Sequence, residues 1–482
     1  MTDLPFFGHV IDGAETSPAV GDRFDSIDPW TRRPWACAAL GGKAEADAAV
    51  AAARRAFDDG PWPRMGFAER GRLLHRLADL LDEHADELAA ADSHDMGKPV
   101  TQARHDVARS AMNFRFFADH ARLSTGETLP MDPNHHSYTR FEPAGVVAAI
   151  APWNFPLMLE TWKIAPALAW GNTVVLKPAE DTPASATILG RLASRAGLPP
   201  GVLNVVQGYG PESAGAALTE NPGVDRITFT GESGTGRVIA KAAAVNLTPV
   251  SLELGGKGAN IVFEDAEIDN AVSWSIQAIF RNAGQVCLAG SRLFVHRGIY
   301  DVFLERYVDA AERLVIGDPA KAETEFGPLA SQEHYAKVCR YLELVEADGG
   351  KIRTGGVGEG WVIKPTVVTD LADTSRVVCE EIFGPVVAIL PFDSEREAIS
   401  RANNSRYGLN AMVFTENLNR AHRVAAQLSA GTVWVNCFFI RDLRAPFGGV
   451  GDSGIGREGG NFSREFFTEP KAVVMQIGPD RV

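Results

Sequence analysis

Long apolar runs and a secretion signal are missing from this sequence. No uninterrupted apolar stretch approaches the roughly 18 residues that a membrane-spanning helix needs. The first residues, MTDLPFFGHVIDG, lack the basic segment followed by an apolar one that marks a secretory signal peptide. We therefore expect neither a membrane protein nor a secreted one.

Cysteine and positive charge are also scarce. The five cysteines stand singly at positions 37, 287, 339, 379 and 437 with no CxxC pair, so we expect no disulfide framework and no metal site. A reducing cytoplasm suits such cysteines. Lysine and arginine number 47 against 61 for aspartate and glutamate, a net charge of −14. This balance argues against a nucleic acid or an anionic membrane as a partner.

What is present is a globular composition with a repeated pattern of strands and helices. The chain has 482 residues, 45% of them hydrophobic, which is enough for two or three structural units. Short apolar runs such as Gly145–Ala151 and Thr173–Leu176 alternate with helical segments, and a helical stretch is predicted from Phe67 to about Ala91. Such alternation is typical of a parallel sheet covered on both faces. The sequence predicts a two-lobed α/β protein with one further strand at Lys471–Ile477.

Two glycine-rich segments could carry covalent chemistry. In NAGQVCLAGS, Cys287 lies between glycines, as if backbone had to approach its sulfur closely. This is a candidate nucleophile, although most intracellular cysteines are small buried hydrophobic residues. In SLELGGKGAN, Glu253 lies between two leucines, where burial would raise its pKa and suit a general base. The alternating pattern of a strand equally allows Glu253 to face solvent.

Candidate binding groups follow the predicted strands. PWNFP places Asn154 after an apolar strand, where its amide could donate to an oxyanion or could bond its own turn. VVLKPAE ends a strand with Lys177 and Glu180, a place suited to holding ribose hydroxyls.

Two further segments are weaker signals. DRITFTGESGTGR runs from a strand through Gly231 to a helix predicted to begin near Arg237, and such a turn can bind phosphate. Its GxxGxG spacing differs from the dinucleotide fingerprint and excludes a Walker loop. In EEIFGPV, Phe383 marks a rigid corner and Glu381 could hold another sugar hydroxyl.

Together these segments resemble the aldehyde dehydrogenase family. PWNFP, GNTVVLKPAE, FTG, LELGGK, GQVC, EEIFGPV, NNSRYGL, GTVWVN and PFGG occur in that family's order and approximate spacing, over nearly the whole chain. The resemblance implies a Rossmann-like NAD-binding domain over residues 1–122 and 144–254 and an α/β catalytic domain over residues 255–452. It also implies a small β oligomerisation element over residues 123–143 and 466–482.

The resemblance also implies roles for single residues. Cys287 matches the nucleophile, Glu253 the general base and Asn154 the oxyanion donor. The residues that match cofactor contacts are Trp153, Lys177, Glu180, Gly231, Ser233, Glu381 and Phe383. The implied activity is NAD-dependent oxidation of an aldehyde to a carboxylic acid through a Cys287 thiohemiacetal and thioester, in a homodimer or homotetramer. Because the charge of Glu180 would repel a 2′-phosphate, NAD is favoured over NADP.

Three segments concern the substrate. The FTGESGTG loop, in which Glu232 stands where many members have serine, resembles dehydrogenases of muconate semialdehydes, as do NFRFFADHA and IRDLRAPFGG. Those substrates carry a carboxylate remote from the aldehyde, and Arg109, Arg441 and Arg444 lie where the family lines its substrate channel. These arginines could bind that carboxylate bidentately. The alternative is that they pair with nearby carboxylates of the protein, namely Asp106, Asp119 or Asp442.

Other functions stay open at this stage. A CoA-acylating semialdehyde dehydrogenase needs no water-activating base, so Glu253 counts against it. A betaine or ω-amino aldehyde dehydrogenase takes cationic substrates, which fit acidic or aromatic pockets better than arginines. From a different class, the chain could be a non-catalytic NAD-binding protein, because a fold alone does not prove activity.

Overall fold

Two large, mostly parallel sheets organise the chain in the computed structural model, which describes residues 4–17 and 21–478. The first sheet has eight strands in the spatial order Gly454–Ile455, Val250–Glu253, Arg226–Thr230, Val146–Ile150, Thr173–Lys177, Leu203–Val205, Val10–Ile11 and Ala14–Glu15. Its five central strands are parallel, and the short strands at both edges pair antiparallel.

The strand order of the first sheet creates a binding edge. Val146–Ile150, the earliest of the parallel strands, lies between Thr173–Lys177 and Arg226–Thr230, so the chain leaves it to both sides. Ligands of such sheets bind at the carboxyl ends of the strands where the order reverses. All three strands are completely buried, as expected for apolar strands covered on both faces.

The second sheet has seven strands in the spatial order Lys351–Val357, Ile363–Thr369, Val386–Phe392, Arg292–His296, Ala259–Val262, Asn410–Phe414 and Thr432–Val435. All pairs are parallel except that of Lys351–Val357 with its neighbour. Only residues 254–258 separate the last parallel strand of the first sheet from the first strand of the second. The sheets are therefore joined directly at a carboxyl strand end.

Three smaller sheets complete the β structure of the described residues. Their strands are Phe6–Phe7, Arg33–Ala39 and Arg23–Asp28; Tyr407–Gly408 and Val450–Gly451; and Thr468–Gln476, His135–Pro143 and Thr128–Leu129. In the last of these, Thr468–Gln476 pairs antiparallel with His135–Pro143 along its whole length. This strand begins three residues before the predicted strand Lys471–Ile477 and ends one residue earlier. Val474 is exposed on the strand, and Ile477 is exposed directly after its end.

Helices cover the sheets. Their bounds are Lys43–Asp58, Phe67–Glu83, Ala85–Met96, Val100–Arg122, Pro156–Ala169, Ala184–Ala196, Ala214–Glu220, Ser233–Val245, Ile268–Phe280, Tyr300–Glu312, Gln332–Ala347, Arg376–Cys379, Glu395–Asn403, Leu418–Ala425 and Gly460–Phe467. Short 3₁₀ turns occur at Trp62–Arg64, Arg281–Gly284 and Arg297–Ile299. Within the described residues, no helix is both long and apolar enough to cross a membrane.

Two helix predictions were wrong in their bounds. The stretch from Phe67 to Ala91 is two helices, because the backbone of His84 leaves the helical region at φ −103° and ψ 21°. The helix expected near Arg237 begins at Ser233 and so includes two glycines. Gly236 is required there by close packing, since a Cβ would lie 2.6 Å from a methyl carbon of Leu254.

The predicted domain boundaries stay a prediction, but they can be compared with the sheets. The first sheet takes most of its strands from the range predicted for the NAD-binding domain, and the second takes its strands from the range predicted for the catalytic domain. The C-terminal sheet takes its strands from the range predicted for the oligomerisation element. Gly454–Ile455, which was given to no domain, closes an edge of the first sheet. Residues 1–3, 18–20 and 479–482, which those domains include, lie outside the described residues.

A buried carboxyl group makes the stability of this fold depend on pH. Glu160 lies on the apolar helix Pro156–Ala169, and its carboxyl oxygens have no hydrogen-bond partner among the described residues. Burial, together with the charges of Asp92 and Asp95, raises the pKa of Glu160 well above its usual range. The folded protein thus keeps a proton that the unfolded chain releases, so stability falls as the pH rises from the unfolded pKa towards the folded one.

We expect the substitution Glu160→Gln to remove this part of the pH dependence. Each pKa unit between the folded and unfolded carboxyl weakens the folded state by about 1.4 kcal/mol once the pH exceeds both values. As the pH rises above the ordinary glutamate pKa, the free energy of unfolding in urea should therefore fall less steeply in the variant than in the wild type, by up to about 1.4 kcal/mol per pH unit. The exposed Glu416, changed to glutamine, is the control and should follow the wild type. Parallel curves for all three proteins would contradict the protonated state of Glu160.

Candidate active site

A groove of about 300 Å³ lies where the two large sheets meet. The first sheet and its loops contribute Trp153, Asn154, Asp181, Thr230, Gly231 and Glu232. The second sheet and its loops contribute Cys287, Ser331, His334, Lys337, Glu381 and Phe383. The groove therefore contains six of the residues that the sequence predicted for the site, from both halves of the molecule.

Cys287 follows a loop with an unusual backbone. Asn282, Ala283 and Gly284 all have positive φ, of 50°, 53° and 74°. Such a run is costly for the first two residues and is found where surrounding contacts enforce it. Gly284 is enforced by packing, since a Cβ there would lie 2.3 Å from the carbonyl carbon of Gly384. The thiol of Cys287 is thus presented by a loop whose conformation its neighbours fix.

The environment of Cys287 keeps its sulfur protonated. Burial is the main cause that raises the pKa of this thiol to about 12, and the charges of Glu381 and Glu253 add to it. Arg441 acts in the opposite direction. Since the thiolate is the nucleophile, the residue needs a partner that takes its proton or stabilises its charge.

Glu253 is buried and does not face solvent, since only 4% of the residue is exposed. Neither of its carboxyl oxygens has a hydrogen-bond partner among the described residues. Burial and the nearby charge of Glu458 raise the pKa of Glu253 well above its usual range. Room for the carboxyl comes from Gly448, where a Cβ would lie 2.6 Å from Oε1. Glu253 is not among the residues that line the groove, but its charge acts on Cys287.

Asn154 lies on the groove wall and is buried. Its side-chain Nδ2 donates to the backbone carbonyl oxygen of Gln285 at 2.9 Å. The backbone carbonyl oxygen of Asn154 accepts from Nδ2 of Asn282 at 2.8 Å. The alternative that it bonds its own turn is therefore not observed. Because an amide nitrogen carries two hydrogens, one remains to donate to a ligand.

Aromatic side chains and Glu381 form the other wall of the groove. Phe383 packs edge-on against Trp153 at 5.3 Å, and its backbone has a φ of 61°. Its carbonyl oxygen is 2.7 Å from Nε2 of His334. Glu381 accepts from the backbone N–H of Gly256 at 2.9 Å, and burial raises the pKa of its carboxyl to about 7.

His334 was missed by sequence reasoning. It packs against both Trp153 and Phe383, at 5.1 Å and 5.9 Å between ring centres, and burial lowers its pKa to about 4. It lies on the helix Gln332–Ala347, together with the groove residue Lys337. A capping serine and the helix pattern were the only local signals of this segment, and they do not reveal a groove.

Lys177 and Glu180 do not line the groove, although the next residue along the chain, Asp181, does. Nζ of Lys177 donates to the carbonyl oxygen of Pro178 at 2.7 Å and lies 3.4 Å from Oε2 of Glu180. Lys177 is buried, which lowers its pKa, while the Glu180 side chain is partly exposed. Burial and the charge of Glu180 raise the pKa of Asp181 to about 6.

The glycine-rich turn leads from the groove into the helix Ser233–Val245. Gly231 and Glu232 line the groove, whereas the Oγ of Ser233 donates to the carbonyl oxygen of Asp452 at 2.8 Å. Glu232 is exposed, and a Cβ at Gly234 would meet nothing within 4 Å. The first N–H groups of this helix therefore border open space, which suits a phosphate group.

The groove fits a dinucleotide. It runs past a helix N-terminus at the carboxyl ends of parallel strands, with the buried and unpartnered hydroxyl of Thr230 on its wall. Lys337 and Arg340 on the second half supply positive charge for phosphates, and the carboxylates of Asp181 and Glu381 suit ribose hydroxyls. No group of three or more side chains that could hold a metal ion occurs among residues 4–17 and 21–478.

Arg441 is the best placed of the three predicted substrate arginines. Its guanidinium lies 3.8 Å from the ring centre of Phe447 and 4.8 Å from that of Trp162. Nη2 is buried without a hydrogen-bond partner among the described residues. Burial is the main cause that lowers its pKa to about 10, and the charge of Arg109 adds to it.

Arg109 and Arg444 have different surroundings. Arg109 is half-buried on the helix Val100–Arg122 and forms no ion pair within the described part of the chain, although the charge of Asp442 acts on it. Arg444 is exposed and bound to Asp442, with Nη2 2.6 Å from Oδ2. Pairing with a protein carboxylate is thus what the structure has for Arg444, and we do not carry this residue into the substrate site.

A dinucleotide groove that faces a cysteine, a buried glutamate and a free amide N–H defines a class of dehydrogenase that oxidises its substrate through covalent attachment. The sequence pattern of the aldehyde dehydrogenase family matches residues 16–473. The chain belongs to this family and is an NAD-dependent aldehyde-oxidising enzyme. The family, the fold class and the cofactor predicted from the sequence are confirmed.

Several relatives are similar over nearly their whole length. A 2-hydroxymuconic semialdehyde dehydrogenase of Pseudomonas sp. is 48% identical over 483 residues, covering 97% of this chain and 99% of the relative. A 2-aminomuconic semialdehyde dehydrogenase of Danio rerio is 45% identical, covering 94% and 95%. The NAD⁺ complex of an aldehyde dehydrogenase from Bacillus cereus has a TM-score of 0.95 at 43% identity, covering 98% and 97%.

The protonated state of Cys287 can be tested with the cofactor-free protein. Below its pKa, the thiolate fraction of a cysteine rises about tenfold for each pH unit, so the rate of alkylation by iodoacetamide should rise about tenfold per unit, without levelling off, from about pH 7 to about pH 10. The Cys287→Ala variant supplies the background, because Cys379 is exposed and also reacts. A plateau below about pH 9 in the difference between the two proteins would show that the groove stabilises the thiolate, against our expectation.

Proposed function

We propose that this enzyme oxidises a semialdehyde that carries a carboxylate remote from its aldehyde, such as 2-hydroxymuconate or 2-aminomuconate semialdehyde. The observation that carries this proposal is Arg441, a buried guanidinium near Cys287 whose Nη2 has no hydrogen-bond partner and which forms no ion pair among the described residues, although the charges of Glu253 and Glu458 act on it. A buried cation without a partner is costly, and an anionic substrate group would offset that cost. The names of the relatives above support the same class of substrate.

The first half of the proposed reaction takes place at Cys287. Its thiolate attacks the aldehyde carbon, and the electron pair of the carbonyl bond moves to oxygen. The free N–H of Asn154 Nδ2 donates to this oxyanion, which is stabilised most where donors are already in place. The chemistry that NAD supplies when bound is acceptance of the hydride from that carbon, which leaves a thioester on Cys287.

Glu253 would carry the second half of the reaction. A carboxylate with a raised pKa is a stronger base than an ordinary one, so near neutral pH it takes a proton from water more readily. The water oxygen then attacks the thioester carbon and releases the carboxylic acid and the thiol. A transfer of the acyl group to CoA would need no such base, so Glu253 favours hydrolysis.

We assign the cofactor contacts by the same reasoning. Lys177 and Glu180 would hold the adenosine ribose, and the turn at Gly231 and Ser233 would lie beside the pyrophosphate. On the other side, Glu381 and Phe383, which packs on Trp153, would hold the nicotinamide ribose and ring. The negative charge of Glu180 would disfavour the 2′-phosphate of NADP.

Subunit pairing and location are further proposals. The strand Thr468–Gln476 is an edge strand with exposed apolar side chains, and such edges are commonly covered by another chain. We propose a homodimer or homotetramer built with this small sheet. The five free cysteines suit a reducing cytoplasm.

The catalytic roles predict distinct kinetic defects. We expect Cys287→Ala to abolish aldehyde-dependent formation of NADH, because no adduct can form. We expect Glu253→Gln to release one equivalent of NADH per site in a burst and then to turn over about 100-fold or more slowly, since the thioester forms but is not hydrolysed. Rapid-mixing absorbance of NADH distinguishes the two. A Glu253→Gln variant without a burst would contradict the role in hydrolysis.

The substrate proposal predicts a selective loss in Arg441→Gln. A buried charge-assisted contact is worth about 1.5–3 kcal/mol, so kcat/KM for adipate semialdehyde should fall about 10- to 100-fold. The value for hexanal, which has the same length and no carboxylate, should fall less, because it loses only the effect of the Arg441 charge on the Cys287 thiol. Arg444→Gln is the matched control and should leave both values near those of the wild type. Equal loss for both aldehydes would remove the carboxylate from the proposal.

A further inference from the structure

Glu232 is an acidic residue of the cofactor groove that the proposed reaction does not use. It lies directly before the helix Ser233–Val245, at the position where many members of the family have serine. The residue is exposed, its side chain does not cap the helix, and it forms no ion pair with the described residues. Because like charges repel, a carboxylate is an unexpected neighbour for the pyrophosphate of the cofactor.

The backbone on both sides of Glu232 is held in place. The N–H of Gly231 donates to the backbone carbonyl oxygen of Glu253 at 3.0 Å. The Oγ of Ser233 donates to the backbone carbonyl oxygen of Asp452 at 2.8 Å. Glu232 is therefore kept at the groove wall, which it lines together with Gly231.

The groove carries more acidic than basic side chains. Its two cations are Lys337 and Arg340, and its four carboxyl groups are those of Asp181, Glu232, Glu333 and Glu381. Burial raises the pKa of Glu381 to about 7, so this group carries only part of its negative charge at neutral pH. Glu232 and Glu333 are exposed. Such an excess of carboxylates disfavours a pyrophosphate, so the two exposed ones do not serve the binding of phosphate.

The charge of Glu232 acts at the end of the groove that we assign to the nicotinamide. It raises the pKa of Glu381, the residue that we place at the nicotinamide ribose. Lys337 and Lys257 act on Glu381 in the opposite direction. Glu232 is thus close enough to the nicotinamide end for its charge to be felt there.

The second exposed carboxylate, Glu333, acts at the other end. Its charge raises the pKa of Asp181. Asp181 follows Glu180, which we place at the adenosine ribose. The groove therefore has one exposed carboxylate near each end, and the two differ in the part of the cofactor that they affect.

The two ends of the cofactor respond differently to the reaction. The nicotinamide ring carries one positive charge when oxidised and none when reduced, whereas the pyrophosphate and the adenosine keep their charge. A nearby carboxylate attracts the oxidised ring and gives no such attraction to the reduced one. Its repulsion of the pyrophosphate is the same for both forms.

We propose that Glu232 makes the groove discriminate between the two redox states of the cofactor, favouring the binding of NAD⁺ and the release of NADH. While the ring is oxidised, its attraction to Glu232 offsets the repulsion of the pyrophosphate. Once the ring has accepted hydride, only the repulsion remains, and the product leaves faster. This inference rests on the proposed cofactor contacts, since it requires the nicotinamide at Glu381.

The test measures the Kd of NAD⁺ and of NADH by calorimetry without aldehyde, in the wild type and in Glu232→Gln. The substitution removes the charge and no capping hydrogen bond. We expect NADH to bind more tightly and the ratio of the Kd of NADH to that of NAD⁺ to fall about three- to fivefold. Displacement of bound NADH by excess NAD⁺ should slow accordingly in rapid mixing. Salt at about 0.5 M should shrink both effects, because the charge is exposed.

Glu333→Gln is the matched control. It removes the same charge from the same groove, but at the end assigned to the adenosine. We expect it to change both Kd values by the same factor and to leave their ratio as in the wild type. Glu416→Gln, an exposed residue that does not line the groove, should change neither value.

The outcomes separate this inference from the contacts on which it rests. If Glu232→Gln changes both Kd values by the same factor, its charge acts only on the pyrophosphate and the inference is wrong. If it changes neither, Glu232 does not face the cofactor, which also overturns the inference. If Glu333→Gln changes the ratio and Glu232→Gln does not, the assigned orientation of the cofactor is reversed, and the proposed contacts fail with the inference.

Discussion

Close packing of backbone at Gly255 and Gly256 is the constraint on which the site depends. A Cβ at Gly255 would lie 2.0 Å from Oε2 of Glu381, and one at Gly256 would lie 2.5 Å from the carbonyl oxygen of Cys287. Any other residue would push these segments apart. Two glycines therefore let the end of the strand Val250–Glu253, the nucleophile loop and the Glu381 corner meet at one point. The short path between the two large sheets follows from the same contact.

The site is built from ionisable groups that the protein has taken out of water. Burial raises the pKa of Glu253 and raises that of Cys287 to about 12, and it lowers the pKa of Arg441 to about 10. In each group, burial thus disfavours the charged form that the reaction or the binding of an anion needs. Ligands that bring charge into the groove complete these environments, which explains why partners for them are missing in the protein alone.

Much of the site could be predicted because its reactive residues lie within short sequence motifs. LELGGK and GQVC place Glu253 and Cys287 beside the glycines that their packing requires, and these are visible along the chain. His334 could not be predicted, because its partners Trp153 and Phe383 come from other parts of the sequence. Arg441 and Arg444 look alike in the sequence, and only the course of an irregular loop decides that one is buried and the other binds Asp442. The helix begins at Ser233, four residues before the predicted start near Arg237, because its first turn contains no apolar residue that would indicate a helical pattern.

The turn before Cys287 contains residues whose backbone is constrained and one residue whose side chain is not. Asn282, Ala283 and Gly284 have left-handed backbone, and Gly284 packs against Gly384. The side chain of Arg281 next to them makes few contacts. A larger side chain at Gly284 would displace the backbone that carries Cys287, whereas the Arg281 side chain can be shortened without a clash. Tolerance to mutation therefore changes abruptly between adjacent residues of a single turn, a contrast that a saturation-mutagenesis map of this segment would display directly.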